Sequence, residues 1–265
     1  METRMIRVGE AFLECTLSGS GDPVILLANA GCSINYFGAM ASRLIGAGFA
    51  TIGVNMRGVG NSRGALEGVS LHDLTADVAG VIDVLGCAPA HMIGHAFGNR
   101  VARCLAADRP ELARSVILLA AGGLIGPPTP LGTAFRNAGD AMRSGPECAA
   151  LGARWLSPLS DPKVLEPVEC WPSVHIAQIA TSRHVPLEDW WTAGTAPMLV
   201  VQGLDDDAAP PGNGYALRES LGERVRLVDV PRLVTSCSWS SQPRSLRRCW
   251  SSSLKAGQHQ DRPLS

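Results

Sequence analysis

Several features are scarce in this sequence, and each scarcity excludes a class of protein. Basic and acidic residues nearly balance, 23 against 24, and the formal net charge of -1 argues against nucleic acid or an anionic membrane as the main partner. No apolar run is long enough to cross a membrane, and the first residues, METRMIR, lack the apolar segment of a secretory signal. We therefore expect a cytoplasmic protein whose partner is a small-molecule substrate; the sequence leaves its oligomeric state open.

The cysteines are scattered and lack the C-x-x-C spacing that zinc sites and redox motifs use. They stand at positions 15, 32, 87, 104, 148, 170, 237 and 249. This pattern fits reduced thiols better than a disulfide framework, and we expect neither a metal nor a cofactor. Cys32 has no base beside it in the sequence, so we interpret it as an ordinary small residue rather than a nucleophile.

Apolar runs alternate with segments of helical periodicity, which predicts an α/β fold with a mostly parallel sheet. With 265 residues, 46% of them hydrophobic, the chain is large enough to bury the core of one such domain. The predicted strands cover 5–8 and 11–18 as an edge hairpin, then 24–28, 49–55, 91–93, 115–121, 197–202 and 225–230. The predicted helices cover 34–47, 72–85, 99–107 and 213–221.

The stretch around residue 96 organises the rest of the chain. A short apolar run meets G-H-A-F-G at residues 94–98, and a helical pattern starts at once, so a strand turns sharply into a helix. Small residues occupy alternate positions there, at Gly94, Ala96 and Gly98. This spacing suits a strained central residue that only small neighbours accommodate.

The joint order of these segments resembles the α/β-hydrolase family from about Pro23 to Pro231. The 94–98 stretch is similar to the nucleophile elbow, G-x-S-x-G. Residues 55–62, N-M-R-G-V-G-N-S, are similar to the family's D-x-R-G-x-G-x-S turn, which we interpret as structural. The resemblance implies the α/β-hydrolase fold, a mostly parallel sheet flanked by helices under a small helical cap.

This resemblance assigns residues 1–121 and 195–231 to the core and 122–194 to the cap. Nine prolines interrupt regular structure in the cap segment. Its tryptophans, at 155, 171, 190 and 191, and its histidines, at 175 and 184, could line a substrate pocket or pack the cap onto the body. Packing is the simpler interpretation for any one of them.

The resemblance also implies roles for four residues. Ala96 stands at the nucleophile position, where its methyl group cannot attack. The backbone N–H groups of Ala30 and Phe97 would form an oxyanion hole. Asp206, picked by its spacing from the flanking glycine and proline, would be the triad acid. A metal site at residues 205–207 is not favoured because no further ligand lies near them in the sequence.

The sequence departs from the family mainly at the positions that the family uses for catalysis. Ala28-Asn29 replaces the usual His-Gly, Ala96 replaces Ser, and no His follows the last strand before His259. Aminoacrylate hydrolases are similar in carrying Ala within G-H-A-x-G, and their substrates are reactive enamines. We therefore predict a hydrolase of a small ester, amide or activated enamine-like substrate in which water replaces the serine. A non-catalytic ligand-binding protein, and a lyase or cofactor-free oxygenase on the same fold, are the alternatives.

The composition changes abruptly after Pro231. Nine of the last 34 residues are Ser, only Asp261 is acidic, and no helical period is present. If residues 233–235 are encoded CTG GTC ACG, the same bases read two places along contain GGT CAC, which encodes Gly-His. Permitted codons through Ser253 can continue that frame into an amphipathic helix. We interpret 232–265 as the product of a reading-frame change, with a divergent natural tail as the alternative.

Resequencing the gene tests this interpretation. We expect the bases of codons 233–235 to place Gly-His in the shifted frame, followed by an open frame with a helical apolar period. An undisturbed frame, with no Gly-His in the shifted reading, would contradict the interpretation.

Overall fold

An eight-stranded sheet runs through the residues that the computed structural model describes, 1–128 and 169–231. The predicted tail, 232–265, and residues 129–168 of the predicted cap lie outside the described residues. The strands are β1 (Glu2–Val8), β2 (Ala11–Ser18), β3 (Asp22–Leu27), β4 (Phe49–Val54), β5 (Ala90–His95), β6 (Ala113–Leu119), β7 (Met198–Gly203) and β8 (Val225–Val230). The α-helices of the described residues are α1 (Gly38–Gly46), α2 (Leu71–Leu85), α3 (Phe97–Asp108), α4 (Pro172–Thr181) and α5 (Gly212–Leu221).

The sheet has the order β1-β2-β4-β3-β5-β6-β7-β8. The hairpin of β1 and β2 is antiparallel, β2 is antiparallel to β4, and every neighbouring pair from β4 through β8 is parallel. All residues of β5 and β7 are buried, because helices cover both faces of a parallel sheet. The predicted edge hairpin and mostly parallel sheet are confirmed.

Local sequence signals explain where the helices begin and end. Ser70 and Asp73 form a capping box at the start of α2, and Gly86 ends the helix in the left-handed conformation. The helix predicted over 34–47 is divided in the structure: a 3-10 turn covers Ile34–Phe37, and α1 follows it. The Ser33 hydroxyl accepts the N–H of Asn35 and thereby caps that first turn.

The turn after β4 has the structural role that the sequence predicts. Arg57 donates to both carboxylate oxygens of Asp77, over 2.5 and 2.9 Å, and so ties the turn to α2. The Ser62 hydroxyl donates to the carbonyl of Asn55 over 2.7 Å and accepts the N–H of Glu14 over 2.9 Å. The Ser62 hydroxyl is therefore occupied by hydrogen bonds within the turn and to β2.

Two tryptophans of the predicted cap pack against the body. The guanidinium carbon of Arg103, a fully buried residue of α3, lies 4.6 Å from the ring centre of Trp190 and 4.9 Å from that of Trp191. Its Nη2 donates to the Asn99 amide oxygen over 2.7 Å and to the Gly122 carbonyl over 2.6 Å. Burial lowers the pKa of Arg103 well below its ordinary value. The packing interpretation is confirmed for these two tryptophans.

The first turn of α3 lies directly against the end of β3. A Cβ atom built on Gly98 would meet the carbonyl oxygen of Leu27 and lie 2.5 Å from that of Ala28. A Cβ on Gly94 would lie 2.5 Å from backbone atoms of Asn99. Both glycines are therefore required by close approach of backbone to backbone.

Replacing Gly98 with alanine should destabilise the protein by about 3 kcal/mol, the upper range for an overpacked site, because the obstructing atoms are backbone carbonyls. The matched change Gly46→Ala is in an exposed helical position where an added Cβ meets nothing within 4 Å. That control should be neutral or stabilise by about 0.5 kcal/mol. Urea denaturation of both variants gives the comparison, and equal midpoints would contradict the packing argument.

Candidate active site

Ala96 occupies the sharp junction between β5 and α3. Its φ of 49° and ψ of -108° lie in a region that non-glycine residues rarely adopt. The surroundings impose this conformation: the Ala96 N–H donates to the carbonyl of Leu119 over 3.0 Å, and the Asn99 N–H donates to the carbonyl of Ala96 over 3.2 Å. The structure thus has the strand, strained turn and helix that residues 94–98 predict.

The N–H groups of Ala30 and Phe97 converge on one oxygen atom. That atom is Oδ1 of the Asn29 side chain, which accepts from Ala30 over 2.8 Å and from Phe97 over 3.3 Å. Ala30 belongs to the loop after β3 and Phe97 begins α3, so the pair spans two elements that are distant in sequence. Two backbone donors aimed at one oxygen form a small site for a partial or full negative charge.

A tyrosine and a histidine hold Asn29 in place. The Asn29 N–H donates to the Tyr36 hydroxyl over 2.8 Å, and that hydroxyl lies 2.9 Å from Nδ1 of His95. Burial raises the pKa of Tyr36 well above its ordinary value, so the hydroxyl keeps its proton. We therefore assign the hydroxyl as the acceptor from Asn29 and the donor to His95.

Side chains of residues 169–178 form hydrogen bonds with the loop after β3. The Gly31 N–H donates to Oε1 of Gln178 over 2.8 Å, and Nε2 of Gln178 donates to the Arg57 carbonyl over 2.9 Å. His175 donates from Nδ1 to the carbonyl of Ala30 over 2.9 Å. The orientation of the Ala30 peptide unit therefore depends on α4, a helix of the predicted cap.

Asp206 is the buried member of three successive carboxylates. It is 3% exposed, whereas Asp205 and Asp207 are exposed. Its Oδ1 accepts the N–H groups of Ala208 over 3.0 Å and Ala209 over 2.8 Å. These bonds fix the carboxylate in the loop after β7 and satisfy one of its two oxygens.

Ala96 and Asp206 lie at the same edge of the sheet. They follow the carboxyl ends of β5 and β7, which are parallel and are separated by β6. At the usual strand spacing this separation is about 10 Å across the sheet. The described structure brings together Ala30, Ala96 and Phe97. No histidine occurs between Asp206 and residue 231, where the described part of the chain ends.

One described cluster has the chemistry of a metal site. The side chains of His72, Cys104 and Asp108 place one ligand atom each within 4.8 Å of one another. His72 Nδ1 lies 2.8 Å from the Asp108 carboxylate and 3.4 Å from the Cys104 sulfur, and the hydrogen bond to Asp108 raises the pKa of His72. The groups satisfy one another, and we assign no ion to them.

Comparison with known proteins identifies the fold and its class. A family model described as alpha/beta hydrolase fold matches residues 23–142. The solved structure of E-2-(acetamidomethylene)succinate hydrolase superposes with a TM-score of 0.80 at 20% identity, covering 96% of this chain and 99% of that one. The chain therefore has the α/β-hydrolase fold, as its motif order predicts.

Two of the curated relatives are a hydrolase and a methylesterase. The chain is 31% identical over 117 residues to the 2-(acetamidomethylene)succinate hydrolase of Mesorhizobium japonicum, covering 44% of this chain and 42% of that protein. It is 31% identical over 132 residues to the rhodomycin D methylesterase DnrP of Streptomyces peucetius, covering 47% and 44%. The chain thus matches less than half the length of these curated relatives.

Within the described parts of the chain, none of the helices combines the length and apolar character needed to span a bilayer.

The sequence did not single out Asn29, Tyr36 or Gln178 as functional residues. Asn29 was visible only as a departure from the family's glycine, and its position beside the Ala30 donor was the available signal. Tyr36 and Gln178 gave no local signal, because their partners are 7 to 147 residues away. Such contacts follow from the fold and not from spacing.

Replacing Tyr36 with phenylalanine should destabilise the protein by about 2 kcal/mol, because the change leaves the Asn29 N–H and the His95 ring nitrogen without the hydroxyl. Tyr215→Phe removes the same atom from an exposed ring that contacts Asp229 over 3.3 Å, and should change stability by less than about 0.5 kcal/mol. Thermal and urea unfolding of the two variants measures the difference. Equal, small effects would show that the hydroxyl does not support the loop.

Proposed function

We propose that this protein is a hydrolase of a small ester, amide or activated enamine-like substrate, and that water attacks in place of a serine. The observation that carries the proposal is the convergence of the Ala30 and Phe97 N–H groups on one oxygen beside Ala96. In acyl transfer, such a pair stabilises the oxygen that becomes negative when a nucleophile adds to the carbonyl. In this assignment Asn29 Oδ1 occupies the position that a substrate oxygen takes on binding.

The absence of a side-chain nucleophile at Ala96 sets the class of substrate. A methyl group cannot form an acyl-enzyme, so water must add directly, activated by a general base. Substrates that are already reactive need less covalent assistance, and the oxyanion hole and binding alone retain part of the rate. The N-acyl enamine named in the 2-(acetamidomethylene)succinate hydrolase fits this requirement and supports an enamine-like substrate here.

Asp206 and a histidine from the restored reading frame complete the proposed machinery. A buried carboxylate at the end of β7 can hold an imidazole by one ring nitrogen, leaving the other to take a proton from water. The backbone N–H groups of Ala208 and Ala209 orient the carboxylate. The chain as printed carries no histidine between Asp206 and His259, so its turnover should be low.

A second candidate function, ligand binding without turnover, is supported by a specific observation. Both donors of the proposed hole already have an acceptor within the protein, the amide oxygen of Asn29. A protein that keeps a shaped pocket without a nucleophile or base would bind small acyl compounds reversibly.

The experiment compares two proteins on a panel of small esters, amides and enamines. The first has the present sequence. The second, the restored-frame protein, has the tail read in the shifted frame that contains Gly-His. The restored-frame protein should turn over, and Asp206→Asn within it should lower kcat/KM at least ten-fold, because an amide does not stabilise an imidazolium. Asp207→Asn is the matched control at an exposed neighbouring carboxylate and should change kcat/KM less than two-fold.

Three outcomes decide between the candidates. Equal effects of the two aspartate variants would remove Asp206 from the mechanism. Labelling of residues 94–98 by a fluorophosphonate would contradict attack by water, since it requires a covalent nucleophile there. Saturable binding with no product from the restored-frame protein would favour the ligand-binding function.

A further inference from the structure

Two cysteines that are 138 residues apart in sequence face each other across a short antiparallel bridge. Cys32 lies in the loop after β3, two residues after Ala30, and Cys170 lies just before α4. The bridge is held by backbone bonds on both sides: Ser33 N–H to the Glu169 carbonyl, 2.9 Å, and Trp171 N–H to the Gly31 carbonyl, 2.7 Å. No disulfide is assigned to any cysteine of the described residues.

The pattern of these bonds fixes the geometry of the pair. Because the flanking residues exchange the hydrogen bonds, Cys32 and Cys170 form a non-hydrogen-bonded pair, in which opposed Cα atoms lie about 4.5 Å apart and side chains are at their closest. Disulfides span Cα separations of roughly 4.4 to 6.8 Å. The two sulfur atoms lie 2.6 Å apart, so bond formation needs no movement of the backbone.

We propose that Cys32 and Cys170 are a redox modification site, at which a reversible disulfide ties the loop carrying Ala30 to the start of α4. This proposal does not depend on the hydrolase assignment. It revises the interpretation of Cys32 as an ordinary small residue, since the partner 138 positions away is invisible to sequence spacing. Reversible disulfides of this kind occur in reducing compartments as sensors rather than as structural staples.

The oxidant is a small disulfide such as oxidised glutathione. One cysteine thiolate attacks a glutathione sulfur, forming a mixed disulfide and releasing one glutathione thiolate. The second cysteine thiolate attacks the protein sulfur of that mixed disulfide and releases the second glutathione. The two protein sulfurs lose two electrons, glutathione disulfide gains them, and the two thiol protons leave to solvent.

The burial and mutual contact of the two thiols set the pH dependence of this exchange. Both cysteines are partly buried, and the residues flanking them, Ser33, Glu169 and Trp171, line a cavity of about 400 Å³. The thiol hydrogen bond with Cys170, together with burial, raises the pKa of Cys32 well above its ordinary value. Because only the thiolate reacts, oxidation should become faster as pH rises from about 7 to about 9.

A closed disulfide would act on the loop that carries the Ala30 donor. The bonds from Gln178 to Gly31 and from His175 to Ala30 already join this loop to α4. A covalent link between the loop and α4 would prevent them from separating. It would also close a chain loop of more than 100 residues, which constrains the unfolded state strongly.

The test equilibrates the full chain with glutathione buffers of increasing oxidised fraction, then blocks the remaining thiols and maps peptides by mass spectrometry. We expect one cross-linked peptide pair containing Cys32 and Cys170, lost on reduction, and a Tm about 5 °C or more above that of the reduced protein. Cys170→Ser should abolish both the cross-link and the Tm rise. Cys87→Ser, at a partly buried cysteine remote in sequence from the pair, should leave both unchanged.

Each remaining outcome would overturn the proposal. If Cys32 and Cys170 react fully with the thiol-blocking reagent at every ratio of oxidised to reduced glutathione, no disulfide forms between them. A cross-link between other cysteines would place the redox chemistry elsewhere. A Tm rise that persists in Cys170→Ser would show that the stabilisation has another origin, even if that variant is itself less stable than the parent.

Discussion

The close approach of α3 to the end of β3 is the constraint on which the candidate site depends. Gly98 lies against the carbonyl oxygens of Leu27 and Ala28 with no room for a Cβ, and this contact brings the Phe97 N–H within 3.3 Å of the Asn29 amide oxygen. The strain at Ala96 follows from the same approach, since the chain must leave β5 and enter α3 within one residue. Packing of two backbones therefore creates the donor pair.

The two backbone N–H groups now donate to the Asn29 side-chain oxygen, and this acceptor indicates which ligand oxygen they would bind more strongly. Asn29 Oδ1 is a neutral amide oxygen, and hydrogen bonds from N–H groups to a charged oxygen are roughly twice as strong as those to a neutral one. Under the proposed function, a neutral substrate carbonyl gains little by displacing Asn29, whereas the developing oxyanion gains more. This difference between ground state and transition state is the form of binding that accelerates a reaction.

Much of the fold could be predicted from local patterns, and the candidate site only in part. The strands and the strained turn follow from apolar runs, glycine spacing and short-range sterics around residues 94–98, and the structure confirms them. The split of the 34–47 helix and the burial of Arg103 between tryptophans could not be predicted, because both depend on neighbours that come from elsewhere in the sequence. The same is true of the acceptor Asn29 and of the Cys32–Cys170 pair.

The position of Asp206 shows where prediction from motifs ends. Asp206 is the buried one of three successive carboxylates. The role predicted for it from the sequence depends on a histidine that the described residues after it do not supply. The donor pair, in contrast, is present in full and can be tested by itself.

The most direct test of the central claim is a titration with methylphosphonate, a small stand-in for the oxyanion, followed by the backbone ¹H–¹⁵N resonances. We expect the amide signals of Ala30 and Phe97 to shift together and saturably, with one shared dissociation constant, and the Asn29 side-chain amide signal to shift with them. Movement of neither backbone amide, or of one without the other, would contradict the account.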